Sequence, residues 1–263
     1  MSLVVVRAAG LCTVQDLGRR GHMHEAVPPG GALVREALVA ANRAAMNHDG
    51  APAIEVLGQL IVRATTDLVI ATDREGPRLL DEDDELTISS AASRCTYLAI
   101  RGGVTAPEIL GGRGTLLCAK LGAPLRAGDE ILAAGAPRHE TTVPLLEPDE
   151  RAVRVIAGPD PDAFEPGALA ALCSASYRIS PTSDRVGTRL EGPPVPRLAA
   201  YREQSRPMVI GALEVPRDGQ PIVLGPEHPT TGGYPIVGVV ATSDLDRFFS
   251  IRLGGTVRFV AER

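Results

Sequence analysis

QPIVLGPEHPTTGGYPIVGVV occupies Gln220–Val240. An apolar run, Pro221–Leu224, gives way to a polar bend, and a second apolar run, Ile236–Val240, leaves it. Two strands meeting at a loop produce this outline. Within the bend, Thr230 and Thr231 supply two hydroxyls, and Gly232 and Gly233 are free to take positive φ. Tyr234 adds an aromatic ring and Pro235 a fixed φ. Successive amide N–H groups in such a bend can converge on an anion, and glycines let a ligand approach the main chain. The same residues also compose an ordinary turn, with glycine for geometry and Tyr234 as a packing lid.

Outward from this stretch the text stays β. AIEVLGQLIV from Ala53, DLVIATD from Asp67, ELTI from Glu85 and TYLAIRGG from Thr96 are rich in β-branched residues and separated by turn chemistry. LLDEDDELTI from Leu79, LRAGDEIL from Leu125 and IRLGGTVRFV from Ile251 each set a tight Gly or Asp turn before a strand. Repeated tight hairpins fit small barrels or sandwiches, and the alternating βαβα rhythm of a doubly wound fold is absent. Leu3–Val6 reads as a first strand. Three helices are expected: Ala32–Met46, with Leu33, Ala37, Ala40, Ala41 and Ala44 on one face; Pro161–Ser174; and a short one capped from Ser243. The reading is a mainly β chain of two barrel-like subdomains, 1–140 and 150–263, with Ala136–Asp149 as the Pro-rich linker.

Apolar residues make up 44% of the 263 and charged residues 22%, which describes a globular chain with ample core. With no Trp and four each of Tyr and Phe, that core must be aliphatic. The net charge of −5 and the dispersed arginines leave no basic stripe for a nucleic acid. The N-terminal apolar run is too short for a secretory signal, and no window approaches a membrane span. Cys12, Cys95, Cys118 and Cys173 are widely spaced and read as buried free thiols in a reducing compartment, so a cytoplasmic location is expected. His22 and His24 lack a second cluster at ligand spacing, so no metal is expected. Lys120 is the only lysine and lies in CAKLG rather than a Gly-Lys-Ser/Thr loop. ATP held in the usual P-loop manner, or covalent biotin, would therefore need another chain.

Candidate ligand groups fall in several loops. Thr13–Gly31 is a long polar connection, and in it Gln15, Asp16, Arg19 and Arg20 gather an amide, a carboxylate and two guanidiniums. An Arg fork matches carboxylate geometry, and the alternative is a solvated loop of local ion pairs. Arg101 ends a strand before two glycines, and Arg113 sits in GGRGT. Arg185 and Arg189 are four apart, which in a continuous strand would put both on one face to clamp an anion. Glu55 is either a buried partner or an edge-strand charge.

TTGGYP, together with GALEVPRDGQPIVL (Gly211–Leu224), resembles a family that holds the C-type subunit of 5-oxoprolinase, the second subunit of allophanate hydrolase and the carboxyltransferase half-domain of urea carboxylase. SDRVGTRLEG (Ser183–Gly192), YLAIRGGV (Tyr97–Val104) with LGGRGT (Leu110–Thr115), and TVQDLGRRGH (Thr13–His22) with VPPGGAL resemble further family blocks in the family's order. The chain departs from the family pattern at Val34, at Met46–His48, at Gly112 and Gly114 where serines are more usual, and around Glu227–Pro229. The resemblance implies cyclophilin-like barrels. It also implies membership of an ATP-dependent 5-oxoprolinase that opens 5-oxoproline to glutamate with a B-type partner and an A-type subunit, ATP being a cofactor of the whole complex. Under that reading Asp16 is the first acid–base or orienting carboxylate and Glu227 the second. Arg185 stabilises developing charge with Arg189, Thr230, Thr231 and the Gly232 and Gly233 amides. Gln15, Arg19, Arg101, Arg113 and Tyr234 complete the substrate contacts. Two alternatives accompany it: a biotin-dependent carboxyltransferase half acting on urea or another amide, and a non-catalytic module that only binds the B-type partner. All three need a second chain.

Overall fold

A computed structural model describes residues 1–135 and 152–262. The expected linker Ala136–Asp149, with His139, lies outside the described residues. The chain is mainly β and divides into two compact units, the first containing residues 1–20 and 29–135, the second 21–28 and 152–262.

The first unit is a seven-stranded sheet. Its strands are β1 (Ser2–Gln15), β2 (Ala53–Ala64), β3 (Leu68–Thr72), β4 (Arg78–Leu80), β5 (Glu85–Ser89), β6 (Thr96–Ile100) and β7 (Glu130–Leu132). They lie in the order β4-β3-β6-β2-β1-β7, with β5 also on β2. β2 serves both because its first half pairs with β6 and its second half with β5. The first strand is far longer than Leu3–Val6, so Thr13–Gln15 belong to the sheet and the polar loop begins only at Asp16. β1 and β2 pair along nearly their whole length, and Gly10 stands directly opposite Gly58. Both have positive φ, and a Cβ on either would collide with the facing carbonyl, so only glycine fits this crossing.

The helix α1 (Arg35–Ala44) is shorter than expected at both ends and buries Ala37, Leu38, Ala40, Ala41 and Asn42. Asn42 is in that face because its Nδ2 donates to Ala51 O at 2.7 Å. An aliphatic cluster that includes Leu3, Val5, Ile54, Val56, Leu60, Val62, Ile70, Leu98 and Ile100 fills the unit's core. The β-branched strands read in sequence thus supply this core, β6 being buried along its whole length.

In the second unit β8 (Val153–Ala157), β9 (Ser176–Ile179), β10 (Gly187–Glu191), β12 (Ala212–Glu214), β13 (Ile222–Leu224), β15 (Ile236–Val240) and β16 (Thr256–Ala261) form a closed barrel. β11 (Arg206–Pro207) and β14 (Thr231–Gly232) make a separate two-stranded ribbon. Closure removes the exposed edges that an open sheet would leave.

The turns expected before β5, β7 and β16 exist, but none closes a hairpin. β5 pairs with β2, β7 with β1, and β16 with β8 and β9. Each turn hands the chain to a distant strand, so local sequence could not name the partner. The second expected helix is broken: a 3₁₀ turn at Pro161–Ala163 is followed by α2 (Ala168–Ser174), entered through Gly167 at φ 86°. The third, α3 (Leu245–Ser250), has no side-chain cap. The Asp244 carboxylate instead takes the Arg154 amide at 2.8 Å and the Arg154 guanidinium at 2.7 Å.

All four cysteines are free, but only Cys12 and Cys95 are buried; Cys118 is exposed and Cys173 half-buried. No helix among the described residues is long and apolar enough to cross a membrane.

Candidate functional site

In the first unit the Asp16 loop is built by backbone capture. Asp16 is buried; Oδ1 accepts the Gly18 amide at 2.8 Å and Oδ2 the Arg113 amide at 2.6 Å. An Asp at the end of a strand that bonds an amide two residues on is an Asx-turn, and it starts the loop. Arg19 is fully enclosed, with Nε donating to Ile109 O at 3.2 Å and Nη2 to Gly114 O at 2.7 Å. Gln15 Nε2 donates to Thr13 Oγ1 and Thr115 O, both at 3.0 Å. Thus Gln15, Asp16 and Arg19 come together with the GGRGT turn, a partner that their spacing did not indicate, while Arg20 is exposed.

Two atoms in this cluster have no partner among the described residues: Gln15 Oε1 and Arg19 Nη1. A Cβ at Gly114 would lie 2.8 Å from Asp16 Oδ1 and 2.9 Å from Gln15 Oε1, so the glycine makes room for both oxygens. Arg113 contributes its main chain to Asp16, while its exposed side chain pairs with Glu108 at 2.9 Å. Arg101 Nη2 contacts Met46 Sδ at 3.4 Å, and Gly102, at φ 94°, donates its amide to Asn47 Oδ1 at 2.7 Å. Glu55 is fully buried and accepts the Leu33 amide at 2.8 Å and the Tyr97 hydroxyl. It holds the entry to α1 from the centre of the sheet, so it is not an edge-strand charge.

In the second unit Arg185 and Arg189 do not share a face. β10 begins at Gly187, so Arg185 lies in the preceding bend and is buried, whereas Arg189 is exposed on the strand. Arg185 Nε donates to Glu227 Oε1 at 2.7 Å, and both side chains are enclosed. The next residue, His228, is also buried; its Nδ1 meets Pro229 O at 2.7 Å, and burial pulls its pKa below the usual range. A neutral imidazole is the form that costs least there.

Thr230–Tyr234 is not the free turn its composition suggested. Thr231 and Gly232 pair with Pro207 and Arg206, and Thr230 O accepts the Met208 amide at 3.0 Å. Neither Gly232 nor Gly233 takes positive φ. Glycine is required at 232 for space: a Cβ there would lie 2.6 Å from Met208 Cε and 2.8 Å from Glu214 Oε1. Around this ribbon Arg206 pairs with Asp160, whose other oxygen takes the Ile236 amide at 2.8 Å. Arg197 donates to Val215 O and Glu203, both at 2.9 Å.

Glu214 is the residue that sequence reasoning missed. It is 8% exposed, has no hydrogen-bond or ionic partner among the described residues, and burial pushes its pKa up to about 7. The signal was present as a single acid inside the apolar run GALEV. Carboxyls whose pKa is shifted this far by burial are enriched at functional sites. Near it, a cleft of about 460 Å³ is lined by Arg189, Gln220, Ile222 and Tyr234 among others.

The chain's similarities accord with this architecture. A profile of the carboxyltransferase domain, subdomain A and B, matches residues 25–261. The chain is 31% identical to the C-type subunit of 5-oxoprolinase from Escherichia coli, over 98% of this chain and 90% of that one. It is 28% identical to the urea amidolyase of Lachancea kluyveri, over 94% of this chain but only 16% of that much longer protein. Among solved structures, TTHA0988 matches with a TM-score of 0.86 at 29% identity, covering 98% of this chain and 55% of that chain. The Kluyveromyces lactis urea carboxylase matches with a TM-score of 0.91 at 24% identity, covering all of this chain and 27% of that one, a likeness of fold. From its near-complete coverage by these matches, the chain belongs to the carboxyltransferase domain, subdomain A and B, family.

Proposed function

We propose that the protein is the C-type subunit of a heteromeric, ATP-dependent 5-oxoprolinase, active only with a B-type partner and supplied with ATP at the level of the complex. The observation that carries this reading is its 31% identity to the Escherichia coli C-type 5-oxoprolinase subunit along 90% of that protein's length. A lactam carbonyl is a poor electrophile and must be activated, for instance by phosphorylation, before water attacks it. This chain supplies positioning and charge. Asp16 has both oxygens on backbone amides, which suits an orienting role. Glu227 is neutralised by Arg185, so that pair supports the loop entering Thr230. Arg189, Thr230, Thr231 and Tyr234 remain as ligand-facing groups. No Ser-His-Asp-type arrangement accompanies them in either unit as described, which favours a centre completed by a second chain.

The test is to purify the chain alone and with its B- and A-type subunits and assay 5-oxoproline-dependent ATP hydrolysis. Turnover is expected only from the complex; turnover by the chain alone would contradict the reading. The urea amidolyase relatives favour a second reading, a carboxyltransferase half acting on an amide. Transfer of carboxyl from a biotinylated partner to urea, without 5-oxoproline turnover, would select it.

A further inference from the structure

The barrel wall of the second unit carries a cross-strand row that no similarity singles out. Arg189 of β10 stands directly opposite Ile222 of β13, and Ile222 stands opposite Glu214 of β12. Directly paired residues point to the same face. The neighbouring row, Thr188, Val223 and Leu213, is wholly buried, so it faces the barrel interior and the first row faces outward. Two strand spacings separate the ends, so the Arg189 and Glu214 backbones are about 10 Å apart.

The two ends differ in chemistry. The Arg189 guanidinium makes no hydrogen bond or ion pair among the described residues and lines the cleft with Ile222 and Tyr234. Glu214 closes the other end against Gly232, two residues before Tyr234, and it too is unpartnered. Glu214 lies beside the cleft, next to its lining residue Ile222, and the acids that line the cleft are already engaged: Glu191 pairs with Arg178, and Asp218 accepts the Gln220 amide. The charges around Glu214 are likewise matched to each other, Arg206 with Asp160 and Arg197 with Glu203. A cation and an anion left unsatisfied on either side of an aliphatic residue, on side chains long enough to converge, describe a small ligand that gives an anionic acceptor to one and an N–H donor to the other while resting on Ile222.

We propose that the row Arg189–Ile222–Glu214, closed by Tyr234, binds a small amide or lactam that carries a carboxylate. Arg189 takes the carboxylate, Ile222 and Tyr234 seat the carbon skeleton, and Glu214 accepts the amide N–H. This rests on the functional reading above for its substrate class and adds the site. Because burial places the Glu214 pKa near neutrality, the ionised, accepting form is gained as pH rises through about 7.

The test uses calorimetric binding to the complex with the B-type partner, with 5-oxoproline, allophanate and the carboxylate-free 2-pyrrolidinone as probes. Arg189→Met is expected to weaken 5-oxoproline or allophanate by roughly tenfold or more while leaving 2-pyrrolidinone unchanged. Affinity for the carboxylated probe is expected to rise from pH 6 to pH 8, and Glu214→Gln is expected to flatten that rise without preventing assembly. Equal effects of Arg189→Met on all probes, a pH dependence that persists in Glu214→Gln, or no binding of either carboxylated probe would each overturn the site. The functional reading is scored separately, by 5-oxoproline-dependent ATP hydrolysis in the unaltered complex. Arg189-dependent binding of allophanate without that hydrolysis keeps the site and removes the reading; hydrolysis unaffected by Arg189→Met does the reverse.

Discussion

Arg185 Nε lies 2.7 Å from Glu227 Oε1, and both side chains are almost fully excluded from water. The two groups expected to meet a ligand meet each other. Removing one partner of a buried pair strands the other charge, at a typical cost of about 3–5 kcal/mol. Glu227→Ala should therefore lower the urea midpoint strongly, and an Arg185→Met/Glu227→Leu double variant should recover much of the loss. A Glu227→Ala change smaller than about 0.5 kcal/mol, the usual surface range, would show that the pair is not enclosed as described.

The Asp16 carboxylate joins its own loop to a turn 97 residues away, through the Gly18 and Arg113 amides. Asp16→Ala leaves both donors without their acceptor, at about 1–3 kcal/mol for a buried unsatisfied group. Amide hydrogen exchange at Gly18 and Arg113 should accelerate together, with β1 unaffected. Acceleration at one amide alone would separate the two contacts.

Much of this was legible beforehand, for identifiable reasons. Most strands of the first unit announced themselves because runs of β-branched residues suit a buried pleated surface, although Leu3–Val6 is only the opening of β1. The local part of the Asp16 cluster was legible because Gln15, Asp16 and Arg19 are close in sequence, whereas its bond to the Arg113 amide emerges only from the fold. What failed was pairing: the turn at Arg126–Asp129 looks the same whether β7 folds back locally or joins β1. Arg185 and Arg189 were set on one face because sequence does not say that the strand starts at Gly187. Glu214 was overlooked because a single acid in an apolar run has no motif, and its isolation emerges only when β12, β13 and the Thr231–Gly232 ribbon are assembled.

Gly232 is held to glycine by contact, since its φ is ordinary. Gly232→Ala would place a methyl 2.6 Å from Met208 Cε and 2.8 Å from Glu214 Oε1. Overpacking of this kind costs about 1–3 kcal/mol, and the flexible Met208 can absorb part of it. The expected result is a modest drop in melting temperature with a displaced Glu214 titration, read by the carboxyl stretch in infrared spectra. An unchanged titration would mean the ribbon does not press on that carboxyl.

Glu214 should make stability fall on the alkaline side. Its folded pKa is raised from 4.5 to about 7 by burial, so the folded state holds a proton that the unfolded state releases. Its contribution is complete below about 4.5 and is lost as pH rises through about 7, leaving a penalty of about 3 kcal/mol above it. Glu214→Gln should be more stable than the parent at pH 8 and nearly equal to it at pH 5, by chemical denaturation at both values. Parallel pH profiles for the two proteins would contradict this.

Asp244 acts in the opposite direction. Hydrogen bonds from Arg154, reinforced by the neighbouring Arg247, hold its pKa down at about 2 against an ordinary 3.8. A depressed folded pKa stabilises the protein above the unfolded value, and that stability disappears as pH falls from about 4 through about 2. The shift corresponds to at most about 2 kcal/mol, and to less where solvent screens the 43%-exposed Arg154 side chain. Asp244→Asn should remove the acid-side slope and, by leaving Arg154 with only the exposed Glu262 as an anionic neighbour of those described, lower stability at pH 7 as well. Since Arg154 is the second residue of β8 and Asp244 precedes α3, the loss should register first as faster hydrogen exchange at the Arg154 amide, which donates to Asp244 Oδ2 at 2.8 Å. A variant whose acid unfolding still tracks the parent between pH 4 and pH 2 would place that titration on another carboxylate.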